Sequence, residues 1–174
     1  IRMSPGSILG PSDSRSAFEA NLLCVGRRFP DLARLVRSSS AAALEIIPTA
    51  SGEPSARLPG GPWIHSGRAP AEEARRIVRS GMPPGADTAV ILGFGLGYLA
   101  EACLETGLER VIVCEADPAF IRMAFEARDL RPLLGDRRLG FVAGGDPAAL
   151  VTALDSSGAG RAGILELGAL KAAY

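Results

Sequence analysis

Phe18, Leu22, Val25, Phe29, Leu32 and Val36 recur at steps of three and four among polar neighbours, the repeat of one helical face. Pro30 has no amide hydrogen to continue a helix, so the spacing predicts two helices, with a break near Phe29 and a restart at Pro30 or Asp31. The apolar steps then shorten. Residues 44–48 and 55–58 flank the turn formers Ser51, Gly52, Glu53 and Pro54 and predict a β-hairpin, with a further short strand near Trp63 and Ile64. Pro70 opens a helix that carries Glu72 and Glu73 in its first turn and Arg75, Arg76 and Arg79 later, the charge order that complements a helix dipole. That helix is expected to end by Gly81.

Met82-Pro83-Pro84-Gly85 is the clearest linker, and beyond it strand and helix signals alternate. The sequence therefore divides into a helical and β-hairpin region over 1–81 and an α/β domain over 82–174. Strands are predicted over 88–92, 110–114, 139–143 and 162–167, and helices over 98–106, 117–128 and 146–154. Asp117-Pro118 and Asp146-Pro147 each pair an N-cap side chain with proline at the first helical position. Right-handed crossovers place the four strands in parallel in the order 3-2-1-4, a partial doubly wound sheet.

Composition narrows the chemistry. The 174 residues carry 19 basic and 19 acidic side chains, so no global charge favours nucleic acid or an anionic membrane. The balance is uneven, with 11 basic and 7 acidic residues through position 80 and the reverse bias beyond it. Lys171 is the single lysine, which removes Schiff-base chemistry and a lysine-bearing phosphate loop. Cys24, Cys103 and Cys114 show no CxxC spacing and, with one histidine, supply no ordinary zinc set; they suit a reducing compartment. No apolar run is long enough for a membrane span or a signal peptide, so the cytoplasm is the expected location.

The sharpest feature is Gly93-Phe94-Gly95-Leu96-Gly97, set between a buried strand and a helix and followed by Glu115 at the end of the next strand. Gly93, Gly95 and Gly97 permit a tight turn and close approach of a ligand to main-chain N–H groups, and Glu115 is spaced to accept hydrogen bonds from ribose hydroxyls. Two readings stand: a site for an adenosine-type ligand, and a turn kept glycine-rich for packing. The segment resembles the first two motifs of class I S-adenosylmethionine-dependent methyltransferases. By that resemblance the loop holds the methionine end of the cofactor, Glu115 the ribose and Asp146 the adenine amino group. Asp146 and Asp117 also read simply as helix caps. The acid usual two residues before the first glycine is replaced by Ile91, and Leu165-Glu166-Leu167-Gly168 stands where an Asp/Asn-Pro-Pro-aromatic motif is expected.

A longer stretch, about residues 17–145, resembles the N-terminal part of the motility accessory factor family, bacterial proteins linked to flagellin glycosylation. The residues that carry it are Asn21-Leu22-Leu23, Gly52, Ile64-His65-Ser66, Pro70 with Glu73-Ala74, the run from Leu92 to Tyr98, and Glu115-Ala116-Asp117. The resemblance implies a Rossmann-like accessory domain preceding a separate glycosyltransferase domain, with that domain and flagellin as partners. It also implies that this chain is part of a longer protein.

No full catalytic set is visible. His65 reads either as a general base beside a cleft or as a hydrogen-bonded element of a domain junction. Ser66 and Glu73 are expected to stabilise the turn before Pro70 and the first turn of its helix, Trp63 to sit in the core, and the arginines at 75, 76 and 79 to form a solvated face. Three functions follow: a non-catalytic or ligand-binding domain of a flagellin-modifying glycosyltransferase; a fragment of a methyltransferase that takes S-adenosylmethionine or another nucleotide; and a protein-interaction module.

Overall fold

The computed structural model describes residues 11–144, 147–157 and 160–167. Two helices come first, α1 (Pro11–Gly26) and α2 (Pro30–Ser38), broken where the proline pattern requires. Phe18, Leu22 and Val25 of α1 and Leu32 and Val36 of α2 are buried on one continuous face. The hairpin strands β1 (Glu45–Pro48) and β2 (Pro54–Arg57) pair antiparallel, and Trp63 adds an isolated bridge to Arg57. Helix α3 (Pro70–Gly81) leads into β3 (Thr88–Leu92), α4 (Tyr98–Glu105), β4 (Arg110–Glu115), α5 (Pro118–Ala127), α6 (Arg131–Gly135), β5 (Leu139–Ala143), α7 (Pro147–Ser157) and β6 (Ala162–Glu166).

The second sheet is parallel with order β5-β4-β3-β6, the predicted 3-2-1-4 arrangement of a Rossmann-like fold. One face, with Ala89, Ile91, Val111, Val113, Leu139 and Leu165, joins a single core with α1 to α6, and that core runs without a break across the Met82–Gly85 segment. The opposite face is only partly covered: Val90 and Ile112 are buried, whereas Leu92, Ile164 and Val151 of α7 are exposed at 41%, 68% and 57%. Among the described residues, no helix is long and apolar enough to cross a membrane.

Two features depart from the sequence reading. Helix α6 has no signal in the sequence, because five residues, Arg-Pro-Leu-Leu-Gly, are too few to show a period; Leu133 and Leu134 bury it. Trp63 is not in the core. It is 37% exposed, with the Arg57 guanidinium 5.5 Å from its ring centre and Gly67 against its ring edge, so it covers the hairpin from outside.

Asn21 fastens α1 to the sheet domain. It is fully buried, and its Nδ2 donates to the carbonyls of Phe125 (3.0 Å) and Arg128 (2.7 Å) while its Oδ1 accepts from the Leu130 N–H (2.9 Å). One amide thus closes the end of α5 and starts the turn toward α6. Replacing it with leucine keeps the volume and strands three buried main-chain groups, so Asn21→Leu is expected to cost about 3 kcal/mol in urea unfolding, each stranded group contributing about 1. A cost below ~1 kcal/mol would mean that this amide does not hold the junction.

Candidate functional site

The loop after β3 is built as the glycine spacing requires. Gly95 and Gly97 have φ of +54° and +88°, and Gly97 serves as the N-cap of α4 without a side-chain cap. These left-handed turns double the chain back so that successive N–H groups face inward.

What fills that concavity is protein. The Glu115 carboxylate accepts from the Phe94 N–H at 2.8 Å and from the Asp117 N–H at 3.1 Å, and the residue is 1% exposed. His65 Nε2 accepts from the Leu96 N–H at 2.8 Å. Gly93 N–H donates to the Cys114 carbonyl and Gly97 N–H to the Phe94 carbonyl. The Gly95 N–H is the one loop donor without an acceptor among the described residues. A Cβ on Gly95 would fall 2.5 Å from His65 Nε2 and 2.9 Å from a Leu167 methyl, and one on Gly97 would press on Leu130, Leu133 and Phe94.

His65 is the centre of this packing. It is buried, its carbonyl accepts from the Ser55 hydroxyl at 2.9 Å, and its ring meets Tyr98 edge to face at 5.2 Å between centroids. Tyr98 in turn donates its hydroxyl to the Pro54 carbonyl at 2.6 Å. The hairpin, the 64–66 segment and the glycine loop are therefore one hydrogen-bonded unit. Burial, with the nearby Arg128 charge adding to it, pushes the His65 pKa down to about 3, so the ring is neutral at pH 7. Since Nε2 accepts, the proton sits on Nδ1, which has no partner among the described residues. A neutral base with its lone pair already committed to a main-chain N–H cannot also take a proton from a substrate.

Arg128, just past the end of α5, completes the unit. Its guanidinium lies 3.9 Å from the Tyr98 ring centre, donates to the Leu96 carbonyl at 2.7 Å and pairs with Glu101 at 3.0 Å. Burial pushes the Glu101 carboxyl pKa up, against the pull of Arg128. No local pattern marked Arg128, because its partners lie 27 and 32 positions away. Of the remaining predicted residues, Asp117 accepts from the Ala119 N–H at 2.9 Å as the N-cap of α5, and Asp146 lies outside the described residues. Ser66 Oγ accepts from the N–H groups of Arg68 and Ala69, and Glu73 accepts from the Ser66 N–H at 2.6 Å, which sets the entry to α3. Arg75 pairs with Glu72 and reaches Glu105 of α4 at 2.8 Å. Among the described residues, no group of His, Cys, Asp and Glu side chains could hold a metal ion.

No family model matches the chain. It is 32% identical over 132 residues to an uncharacterized protein of Treponema pallidum (strain Nichols), an alignment covering 70% of this chain and 45% of that protein. Among solved structures it superposes on the MAf glycosyltransferase from Magnetospirillum magneticum AMB-1 with a TM-score of 0.64 and 15% identity, over 88% of this chain and 32% of that one. The chain thus spans less than half the length of the first of these relatives and about a third of the second, with which it shares a fold.

Proposed function

We propose that this chain is a non-catalytic Rossmann-like domain of a glycosyltransferase of the motility-associated, flagellin-modifying kind, in which the glycine loop is a structural joint. The observation that carries this reading is the pair of hydrogen bonds from Phe94 N–H to Glu115 and from Leu96 N–H to His65. A phosphate, carboxylate or ribose bound at such a loop uses unpaired N–H groups and an acid turned outward. Here the donors on either side of Gly95 and the acid are satisfied within the chain. The fold shared with a MAf glycosyltransferase, over a minor part of that protein's length, agrees with an accessory domain. The partners in this reading are a transferase domain of the same protein and flagellin as acceptor.

The competing reading is an S-adenosylmethionine pocket, favoured by the three positive-φ glycines and the position of Glu115 at the end of β4. Titration calorimetry with S-adenosylmethionine, S-adenosylhomocysteine and a CMP-activated sugar separates the two. The expected result is no saturable heat with any of the three at millimolar ligand. Saturable binding of the adenosyl compounds that disappears in Glu115→Gln would replace the structural joint with a cofactor site.

A further inference from the structure

The hairpin segment, residues 45–66, adds no strand to the parallel sheet: β1 and β2 pair with each other, and Trp63 bridges to Arg57. Its roots are fixed. Before it, Ala42 N–H donates to the Ala119 carbonyl at 3.2 Å; at its end, Ser66 N–H donates to the Glu73 carboxylate at 2.6 Å. Between those roots, two hydrogen bonds join it to residues 82–167 among the described residues: Leu96 N–H to His65 Nε2, and the Tyr98 hydroxyl to the Pro54 carbonyl. Its buried apolar side chains are Ala56 and Ile64, one of them a single methyl. A segment with two bonds and so little apolar burial opens at lower cost than the sheet beneath it.

Both fastenings end at the glycine loop and the first residue of α4, and they differ in kind. Burial pushes the Tyr98 pKa up, so its hydroxyl donates throughout the acid and neutral range. The His65 bond exists only while Nε2 keeps its lone pair. No group packed on the ring compensates a proton placed there. Glu53 accepts from the Ser51 hydroxyl, Glu73 from the Ser66 N–H, and Glu115 from the N–H groups of Phe94 and Asp117. Glu101 is paired with Arg128, which is itself a like charge, and Leu167 brings only a methyl.

The geometry points to the 45–66 segment as an acid-released latch, in which the neutral His65 ring fastens it to the glycine loop and protonation frees it on its two roots while the parallel sheet stays folded. Release uncovers the Leu96 N–H and the turn that leads into α4. The sign follows from where the proton goes. Latched, the ring is buried and takes up a proton only near pH 3; released, it titrates as an ordinary histidine near 6.5. Opening is therefore unassisted above pH 6.5 and grows by up to about tenfold for each pH unit below it, until pH 3. The inference rests on the glycine loop being a joint, and the two fail separately: adenosyl binding would replace the joint, whereas the latch is read from exchange in the absence of any ligand.

The test is amide hydrogen exchange on the whole chain at pH 7 and pH 5, with each rate divided by that of an unstructured amide at the same pH. The Leu96 N–H is expected to lose about twentyfold in protection between the two, a size set by the ratio of protonated to neutral ring in the released segment. Gly93 N–H, in the same loop but bonded to the Cys114 carbonyl, should keep its protection. His65→Gln does not titrate, so its Leu96 protection should be equal at the two pH values. Tyr98→Phe removes the other fastening and should lower Leu96 protection by about fivefold at both, leaving the pH ratio unchanged. Where His65→Gln fails to fold, Leu96 against Gly93 in the wild type decides alone. Unchanged Leu96 protection in the wild type or in Tyr98→Phe, an equal fall at Gly93, or the same fall in His65→Gln would overturn the latch.

Discussion

Between pH 7 and about pH 4, His65 alone is expected to remove about 3 kcal/mol of folding stability. The side chain is wholly buried, and its pKa is pushed down from 6.5 to about 3 by desolvation first and by Arg128 second. A base whose folded pKa is depressed stays neutral in the native state while the unfolded chain takes up a proton. Its contribution is fully present above pH 6.5, falls as pH drops, and is exhausted below about pH 3, at 1.4 kcal/mol for each pH unit crossed. The groups packed around the ring give the cation no help. Tyr98 is pushed up and stays neutral, Glu101 is turned to Arg128, Glu73 accepts from the Ser66 N–H, and Glu115 accepts from Phe94 and Asp117. Protonation at Nε2 would also break the bond to the Leu96 N–H. Urea unfolding from pH 7 to 4, run on the wild type and on His65→Gln, reads the effect directly. The glutamine keeps an acceptor near Leu96 but does not titrate, so the two profiles should diverge by about 3 kcal/mol at the acid end. Parallel profiles would show that the imidazole is not held neutral in the folded protein. Acid effects from Asp129 and Asp136, whose pKa values are lowered by hydrogen bonds from Arg131 and Arg138, are common to both proteins and cancel in the comparison.

The elements and their order were legible because they depend on local rules. The three- and four-residue repeat from Phe18 to Val36, the prolines at 30, 70, 118 and 147, and the continuous apolar run over β3 each act over a single turn or strand. Once four strands alternate with helices, crossover handedness leaves few sheet orders, and β5-β4-β3-β6 is among them. The loop was legible as a turn, since only glycine takes φ near +54° or +88° without strain. Its surroundings were not. Whether Glu115 turns toward solvent or back to the Phe94 N–H depends on side-chain packing that spacing does not encode. His65 reaches Leu96 across 31 positions, Tyr98 reaches Pro54 across 44, and Asn21 reaches Phe125 across 104. Such contacts are products of the tertiary fold, and Trp63 shows the converse, an aromatic residue whose type suggested burial but whose hairpin lies at the surface.

Gly95→Ala is expected to destabilise the protein by about 4 kcal/mol and lower its melting temperature by roughly 10 °C. Two costs combine. A left-handed conformation at an L-residue takes about 1–2 kcal/mol. The new methyl would lie 2.5 Å from His65 Nε2, 2.8 Å from its Cε1 and 2.9 Å from Leu167 Cδ1. His65 has little room to yield, because Ser55 holds its carbonyl and Leu96 its ring nitrogen, so overpacking adds about 1–3 kcal/mol. If the ring does move, a buried N–H loses its acceptor, at a similar cost. Gly107→Ala is the control. Its φ is +81° and nothing lies within 4 Å of the added carbon, so it should show the backbone cost alone. The double variant His65→Ala/Gly95→Ala then isolates the contact with the ring, since with the imidazole gone the alanine at 95 meets only the Leu167 methyl, the movable end of a side chain, and should cost little more than the one at 107. A coupling energy of about 2 kcal/mol between the two positions is the expected signature of a histidine seated in the loop. Equal costs for Gly95→Ala and Gly107→Ala in the wild-type background would mean that the histidine stands clear of the turn, leaving the Leu96 N–H open to an outside ligand.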